Sequence, residues 1–319
     1  METIFVMIPA YKDPILRETL ESLFNLATHR ERIFVALGAQ YDDEIPMPSL
    51  EGLPEDQIRL VKIHPENRPG TARLRHILNK LYANEDYYVS VDSHTIFEPD
   101  WDTKMIQHIE TQPEYRTIIM QEAHAQVQEN LEQRPSTYFY SQITIDDMTE
   151  YSNDKGIIGP RLVLNEFVIK NRDKRNLPIQ HYLMAGMFMT RGEFARDVTW
   201  GQYWQIEQEE AFLSYQAFMT GWTVRQLDTE VLFRHMPDKY YEAVYGFGED
   251  GKKKQDWKDE HKPQGDWLPH VSPRIWRVYM YNSGPWKVRN AVREPFDWWN
   301  AIGLLDDYNL LLSRSGKLS

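Results

Sequence analysis

The chain has 319 residues and no cysteine. That absence excludes disulfides, thiolate metal sites and a thiol nucleophile, and it fits a reducing compartment. Long hydrophobic runs are missing as well: no stretch approaches the roughly 18 apolar residues of a membrane span. The N-terminal METIFVMIPAYKDP carries an apolar patch with no basic segment ahead of it, and Pro9 cuts it short. It reads as a first strand, not a signal peptide, and the expectation is a soluble, cytoplasmic protein. A glycine-rich phosphate loop is also lacking, because IPAYKDP has no glycine; this counts against a nucleotidyltransferase. No compact histidine motif supports a metal-dependent hydrolase. There is no internal repeat and no low-complexity tract.

What is there is enough apolar and aromatic residue for a sizeable core. The length suits one large α/β domain with elaborations or two modest ones. Net charge is −12 and unevenly spread: between Gly251 and Arg293 ten Lys/Arg stand against four acids. A cationic segment on an acidic body suits an anionic partner; the alternative is a solvated loop.

Short apolar runs alternate with amphipathic segments. Ile4–Pro9, Arg32–Leu37, Ile58–Ile63, Tyr87–Asp92, Arg116–Met120, Tyr182–Thr190 and Val231–His235 read as strands. Asp13 as N-cap and Pro14 at the first helical position open a helix carrying Leu16, Leu20, Leu23 and Phe24. Gly70 opens another, Asp100–Gln112 is helical, and Glu207–Gly221 ends on a glycine suited to a C-terminal cap. Residues 121–180 follow no clear period. The pattern predicts an α/β fold, a mostly parallel sheet with helices on both faces. Ligands then bind beyond the carboxyl ends of the strands, where Tyr11, Lys12, Asp92 and His94 fall.

Candidate chemistry gathers there. Asp92 and His94 form a D-x-H pair. Two residues apart on an extended segment they point to one side and can share a divalent cation; mixed O/N ligation suits Mn²⁺ better than Mg²⁺. The alternative is a turn aspartate beside a surface histidine. A second histidine, His235, closes a late strand; the alternative is a satisfied core or edge histidine. Glu209 and Glu210 open a helix, where acids also serve simply as dipole caps. Arg68 and Arg73 flank a Pro-Gly turn at a helix start, placed to meet a diphosphate or to form a solvated pair.

Taken in order, IFVMIPAYKDP, ETLESLF, GTAR, YYVSVDSHTIFEPDWD, AGMFMTRGEF, EQEEAFLSYQAFMTGW and VLFRH resemble metal-dependent GT-A glycosyltransferases. The likeness is to the cytoplasmic N-acetylglucosaminyltransferases that modify hydroxyproline, and it spans about residues 4–240. It implies a GT-A (Rossmann-like) fold, a UDP-sugar donor such as UDP-GlcNAc or UDP-Glc, Mn²⁺ or Mg²⁺, and retention of anomeric configuration. It implies Asp92 and His94 as metal ligands with His235 the third. Pro9, Ala10, Tyr11, Asp13, Arg73, Asp92 and Ser93 would then lie toward the nucleotide-sugar, and Glu209 and Glu210 toward sugar or acceptor. One departure is Gln208 where the family has glycine.

This divides the chain into a catalytic part, residues 1–245 (1–120 for the nucleotide-sugar, 121–245 for the acceptor), and an irregular, basic, Trp-rich extension, residues 246–319. In the extension Trp257, Trp267, Trp276, Tyr279, Tyr281 and Trp286 interleave with the basic residues. Basic groups contact phosphate and aromatics stack on an exposed base. Two acceptors follow: a hydroxymethylated pyrimidine in DNA, as in phage-type DNA modification, or a protein hydroxyl. A non-catalytic carbohydrate-binding protein would explain the aromatics but not Asp92, His94 and His235 together.

Overall fold

A computed structural model of the chain describes residues 1–67, 70–121, 125–126, 137–146, 161–170, 179, 181–200, 208–227, 231–235, 278–284 and 287–315. The central sheet is built from β1 (Ile4–Tyr11), β2 (Ile33–Gln40), β3 (Ile58–Lys62), β4 (Tyr87–Val91), β6 (Thr117–Met120), β10 (Met187–Arg191) and β11 (Thr223–Gln226), in the order β11-β6-β10-β4-β1-β2-β3. β1 runs parallel to β2 and β4, β2 to β3, and β6 to β11. β10 is antiparallel to both β4 and β6. β1 and β4 are buried almost throughout, as continuous apolar strands covered on both faces must be.

Strand alternation sorts the core into two layers. Phe5 and Met7 of β1 face α2 (Gly70–Asn79) and α5 (Gln208–Met219). Ile4, Val6 and Ile8 face α1 (Leu16–Asn25) and α3 (Trp101–Glu110). The first layer also takes in a C-terminal segment. Tyr279 stacks on Trp298 at 5.4 Å and meets Tyr215 of α5 edge-on at 5.1 Å. Trp298 and Trp299 lie on α6 (Pro295–Ala301), and α7 (Leu305–Ser315) follows with Tyr308 buried. Val278, Tyr279, Met280, Trp298, Trp299 and Tyr308 are thus part of the core that supports α5.

A second sheet joins β5 (Thr95–Phe97), β12 (Leu232–His235) and β7 (Ala125–Gln126) in the order β5-β12-β7. Within the span read as irregular, β8 (Thr137–Asp146) and β9 (Arg161–Lys170) form an antiparallel hairpin. α4 (Phe194–Asp197) follows β10.

Two local expectations change. The helix expected to be capped by Asp13 starts at Leu16. Asp13 instead accepts the Ile15 N–H at 2.9 Å in the preceding turn, because its other oxygen is engaged across the sheet edge. The apolar run Tyr182–Thr190 is a strand only from Met187. Tyr182–Met184 is buried but irregular and Ala185–Gly186 turns into β10, which burial alone cannot distinguish from strand in an apolar sequence. Gly221 does close α5, at φ +87°, a left-handed position that glycine tolerates.

Candidate active site at the carboxyl edge of the sheet

β1 and β4 are neighbours and parallel, so the segments that follow them emerge side by side. Asp13 comes after β1 and Asp92–His94 after β4. β10 starts at the same edge because it runs antiparallel: Met187 pairs with Val91, and the Asp92 N–H donates to Gly186 O at 2.9 Å. Helices α2 and α5 bring Arg75 and Glu209 up from the layer beneath.

Asp13 organises the D-x-H segment from behind. It is almost fully buried and its Oδ2 accepts from Ser93 Oγ at 2.6 Å. The same oxygen lies 3.0 Å from His94 Nδ1. A carboxylate acceptor there calls for the proton on Nδ1, which leaves Nε2 with its lone pair. Thr19 of α1 completes the support: its hydroxyl donates to Ser93 O at 2.6 Å and accepts the Thr95 N–H at 3.1 Å. The segment is a turn, not an extended strand end. The pair faces one way because of that turn and its anchors, not because of strand alternation.

His94 Nε2 lies 3.9 Å from Asp92 Oδ2, with both side chains partly exposed. At ligand bond lengths of about 2.1 Å, donors sharing one ion sit about 3–4 Å apart. One carboxylate oxygen and one imidazole nitrogen at this spacing fit a borderline divalent cation such as Mn²⁺. Glycine at 186 leaves room for that carboxylate: a Cβ there would fall 2.5 Å from Asp92 Oδ2 and 2.7 Å from Oδ1. β12 pairs antiparallel with β5 up to Arg234 opposite Thr95, which places His235 one residue beyond that pair and His94 one residue before it. The side chain of His235 lies outside the described residues. Among those described, no three His, Asp or Glu side chains are arranged to hold one metal ion together.

The other oxygen of Asp92 is held from the opposite side. Arg75 Nη2 donates to Asp92 Oδ1 at 3.2 Å, and Arg75 Nη1 donates to Glu209. The Trp200 ring lies under the guanidinium, 5.4 Å from its carbon. Burial works against the Arg75 charge, but Glu209, Asp92 and Glu210 outweigh it and raise its pKa. Burial pushes Glu209 up to about 7, against the pull of Arg75. Arg75 Nε and Glu209 Oε2 are buried with no hydrogen-bond partner among the described residues. Glu210 is only partly buried; it accepts from the Tyr182 hydroxyl and from the Ala185 N–H at 2.9 Å. Burial raises its pKa too, despite those bonds.

The edge therefore gathers Asp13, Asp92, Ser93, His94, Glu209 and Glu210. Pro9 and Ala10 are buried at the end of β1, and Tyr11 is half-buried beside them. Arg73 is exposed on the first turn of α2, and Arg68 lies outside the described residues. Asp13, which the resemblance places toward the nucleotide, has both oxygens hydrogen-bonded within the chain, to Ile15, Ser93 and His94. Sequence reasoning missed Arg75, Tyr182, Gly186 and Trp200. Arg75 left one signal: it falls on the buried face of α2 with Ala72, Leu74 and Leu78, and a charge on a core face is a buried partner in waiting.

A family model described as Glycosyltransferase (GlcNAc) matches residues 3–53 and 42–258, most of the chain. The chain belongs to that family. Among curated proteins none matches this glycosyltransferase. Its GT-A fold is shared with two solved structures. One is GalNAc-T7, solved with UDP, GalNAc and Mn²⁺: TM-score 0.54, 13% identity, 97% of this chain and 55% of that one covered. The other is residues 1–349 of S. aureus TarS in complex with UDP-GlcNAc: TM-score 0.52, 12% identity, 98% of this chain and 74% of that one. The glycosyltransferase thus spans about half the length of the GalNAc-T7 structure.

Proposed function

We propose that the chain transfers a sugar from a UDP-sugar, UDP-GlcNAc or UDP-Glc in type, to a hydroxyl on a macromolecule. One observation carries the reading: Asp92 and His94 stand together at the carboxyl edge of a GT-A sheet, each fixed from behind by a buried group. Asp92 and His94, with His235 as third ligand, would hold Mn²⁺ (or Mg²⁺). A divalent cation there supplies Lewis acidity to the diphosphate leaving group.

The chain's own residues do the rest. Asp13 keeps His94 in the tautomer that presents Nε2. Arg73, exposed at the start of α2, adds positive charge toward the diphosphate, with Arg68 two positions before that helix. Pro9, Ala10, Tyr11 and Ser93 shape the nucleotide end. Glu210, the less buried of the acidic pair, faces the transferred sugar and acceptor, with Glu209 behind it. Retention of anomeric configuration is part of this reading, and proton NMR of the product tests it. In it, residues 1–245 hold the chemistry, with 121–245 toward the acceptor, and the extension 246–319 contributes its basic residues there while Tyr279, Trp298, Trp299 and Tyr308 pack in the core.

The acceptor is a hydroxymethylated pyrimidine in DNA or a protein hydroxyl. The basic, Trp-rich segment supports the first and the resemblance to cytoplasmic hydroxyproline-modifying enzymes supports the second, together with a cytoplasmic location. Tyr279 is core, which removes it from any base-stacking surface, while Tyr281 is exposed. Trp257, Trp267, Trp276 and Trp286 lie outside the described residues. Among those described, no helix is long and apolar enough to cross a membrane.

The test is UDP release with Mn²⁺ and a panel of UDP-sugars, with 5-hydroxymethylcytosine DNA, unmodified DNA and a hydroxyproline peptide as acceptors. Metal-dependent release is expected, and the acceptor that stimulates it identifies the target. No release with any donor, or full activity in Asp92→Ala, would overturn the reading.

A further inference from the structure

Arg75 stands at the centre of the site without facing solvent. It is almost fully buried on α2. Its two terminal nitrogens serve two carboxylates from different elements: Nη1 serves Glu209 at the start of α5, and Nη2 serves Asp92 Oδ1 after β4. Trp200 closes the guanidinium face. The two oxygens of Asp92 therefore have different neighbours: Oδ1 is turned to Arg75, and Oδ2 lies beside His94 Nε2. Gly186 closes the remaining side, where any side chain would displace the carboxylate.

We propose that Arg75 is a positioning residue. It fixes the Asp92 carboxylate so that Oδ2 is presented next to His94 as a cation ligand, and through the same guanidinium it ties that ligand to Glu209 on the acidic helix. The donor end and the acidic pair then move as one unit. A planar, forked guanidinium can bridge two carboxylates held apart; the single ammonium of lysine, on a flexible stem, cannot hold both in register. The inference rests on the metal-dependent reading above.

The experiment uses the full chain and two readouts that need no turnover: Mn²⁺ binding, followed by EPR of free Mn²⁺, and thermal melting. Arg75→Lys should weaken Mn²⁺ binding by about 10–100-fold, the range for groups that orient a metal ligand. Gly186→Ala, which leaves Arg75 intact but crowds Asp92, should weaken it similarly. In melting, adding Glu209→Gln should stabilise Arg75→Met by more than it stabilises wild type, because only in the variant has the buried carboxylate lost its guanidinium. If Arg75→Lys alone does not fold, the same Mn²⁺ titration is read on Arg75→Lys with Glu209→Gln. Wild-type Mn²⁺ affinity in the lysine variant, or a gain from Glu209→Gln no larger in Arg75→Met than in wild type, would overturn the inference alone. A wild-type chain that binds no Mn²⁺ would overturn the metal reading beneath it.

Discussion

Two buried arginine–carboxylate pairs stand on opposite layers of this sheet, and they are not alike. Asp102 is fully enclosed and every donor around it is matched: the N–H groups of Thr28 and His29 at 2.8 and 3.1 Å, and Arg32 Nε and Nη2 at 3.0 and 2.6 Å. Burial alone would raise its pKa, but the Thr28 N–H and the Arg32 guanidinium outweigh it and hold the carboxyl low. Glu209 has Arg75 on one oxygen and no described partner on the other, and its pKa is pushed up to about 7. A saturated pair is a finished joint. A half-saturated one keeps hydrogen-bonding capacity in reserve and is the kind of perturbed group found at functional sites. The pair on the α1–α3 side ties α3 of the scaffold to Arg32, just before β2; the pair on the α2–α5 side adjoins Asp92 of the candidate site.

That contrast can be broken in several ways. The largest effect is expected at Asp92, which Arg75 and His94 address from two sides. Asp92→Ala should cut transfer by about 10³-fold, in the range of a lost electrostatic contact to the transition state. Its melting temperature should stay within about 4 °C of wild type, since Arg75 keeps Glu209. UDP-release kinetics and a melt measure both. Next, Arg32→Met should cost about 3–5 kcal/mol of stability by stranding Asp102, with Mn²⁺ affinity unchanged. Urea unfolding alongside an Mn²⁺ titration checks it, and loss of Mn²⁺ binding in a folded Arg32→Met would erase the distinction between the pairs.

The third prediction concerns pH. Folded Glu209 releases its proton near 7, against an ordinary value of 4.5. Between those values the folded chain holds more protons than the unfolded one, so the stability tied to this group falls as pH rises through that window and is level above it. Glu209→Gln lacks that slope. Relative to wild type it should gain on the order of 3 kcal/mol between about pH 4.5 and about pH 8, read from urea midpoints across a pH series. A flat difference would mean that Glu209 is ionised throughout, like Asp102. The smallest effect is expected from Asp13→Asn, which keeps the shape but weakens the acceptor at His94 Nδ1: Mn²⁺ affinity should fall about 10–100-fold, with the fold intact.

Much of this was readable beforehand, for identifiable reasons. The buried parallel strands β1, β2 and β4 are continuous apolar runs, and the amphipathic α1 and α2 announce themselves by period. Asp92-Ser93-His94 stood out because a polar turn follows such a run. The segment Phe97–Asp102 looked equally like part of a motif, yet in the structure Trp101 donates its Nε1–H to Leu23 O at 2.9 Å and Asp102 binds Arg32. Motif residues there are framework. The segment Tyr182–Gly186 was read as strand because apolar burial looks the same in strand and in irregular backbone. Arg75 was passed over for Arg73, two residues away, although it shares the apolar face of α2 with Ala72, Leu74 and Leu78; what it pairs with on that face is not written in the local sequence.

The sequence by itself determined the alternation of strands and helices, the edge at which ligands gather, and the types of donor placed there. Those follow from local periodicity and from the chemistry of side chains. Only the tertiary structure decided which groups share a charge. Arg75, Asp92 and Glu209 come from α2, the turn after β4 and the start of α5, 17 and 134 residues apart from the arginine. β10 had to run against its neighbours to bring Gly186 beside Asp92. Hydrogen bonds and ion pairs act over a few ångströms in space, and separation along the chain carries no record of them until the chain has packed.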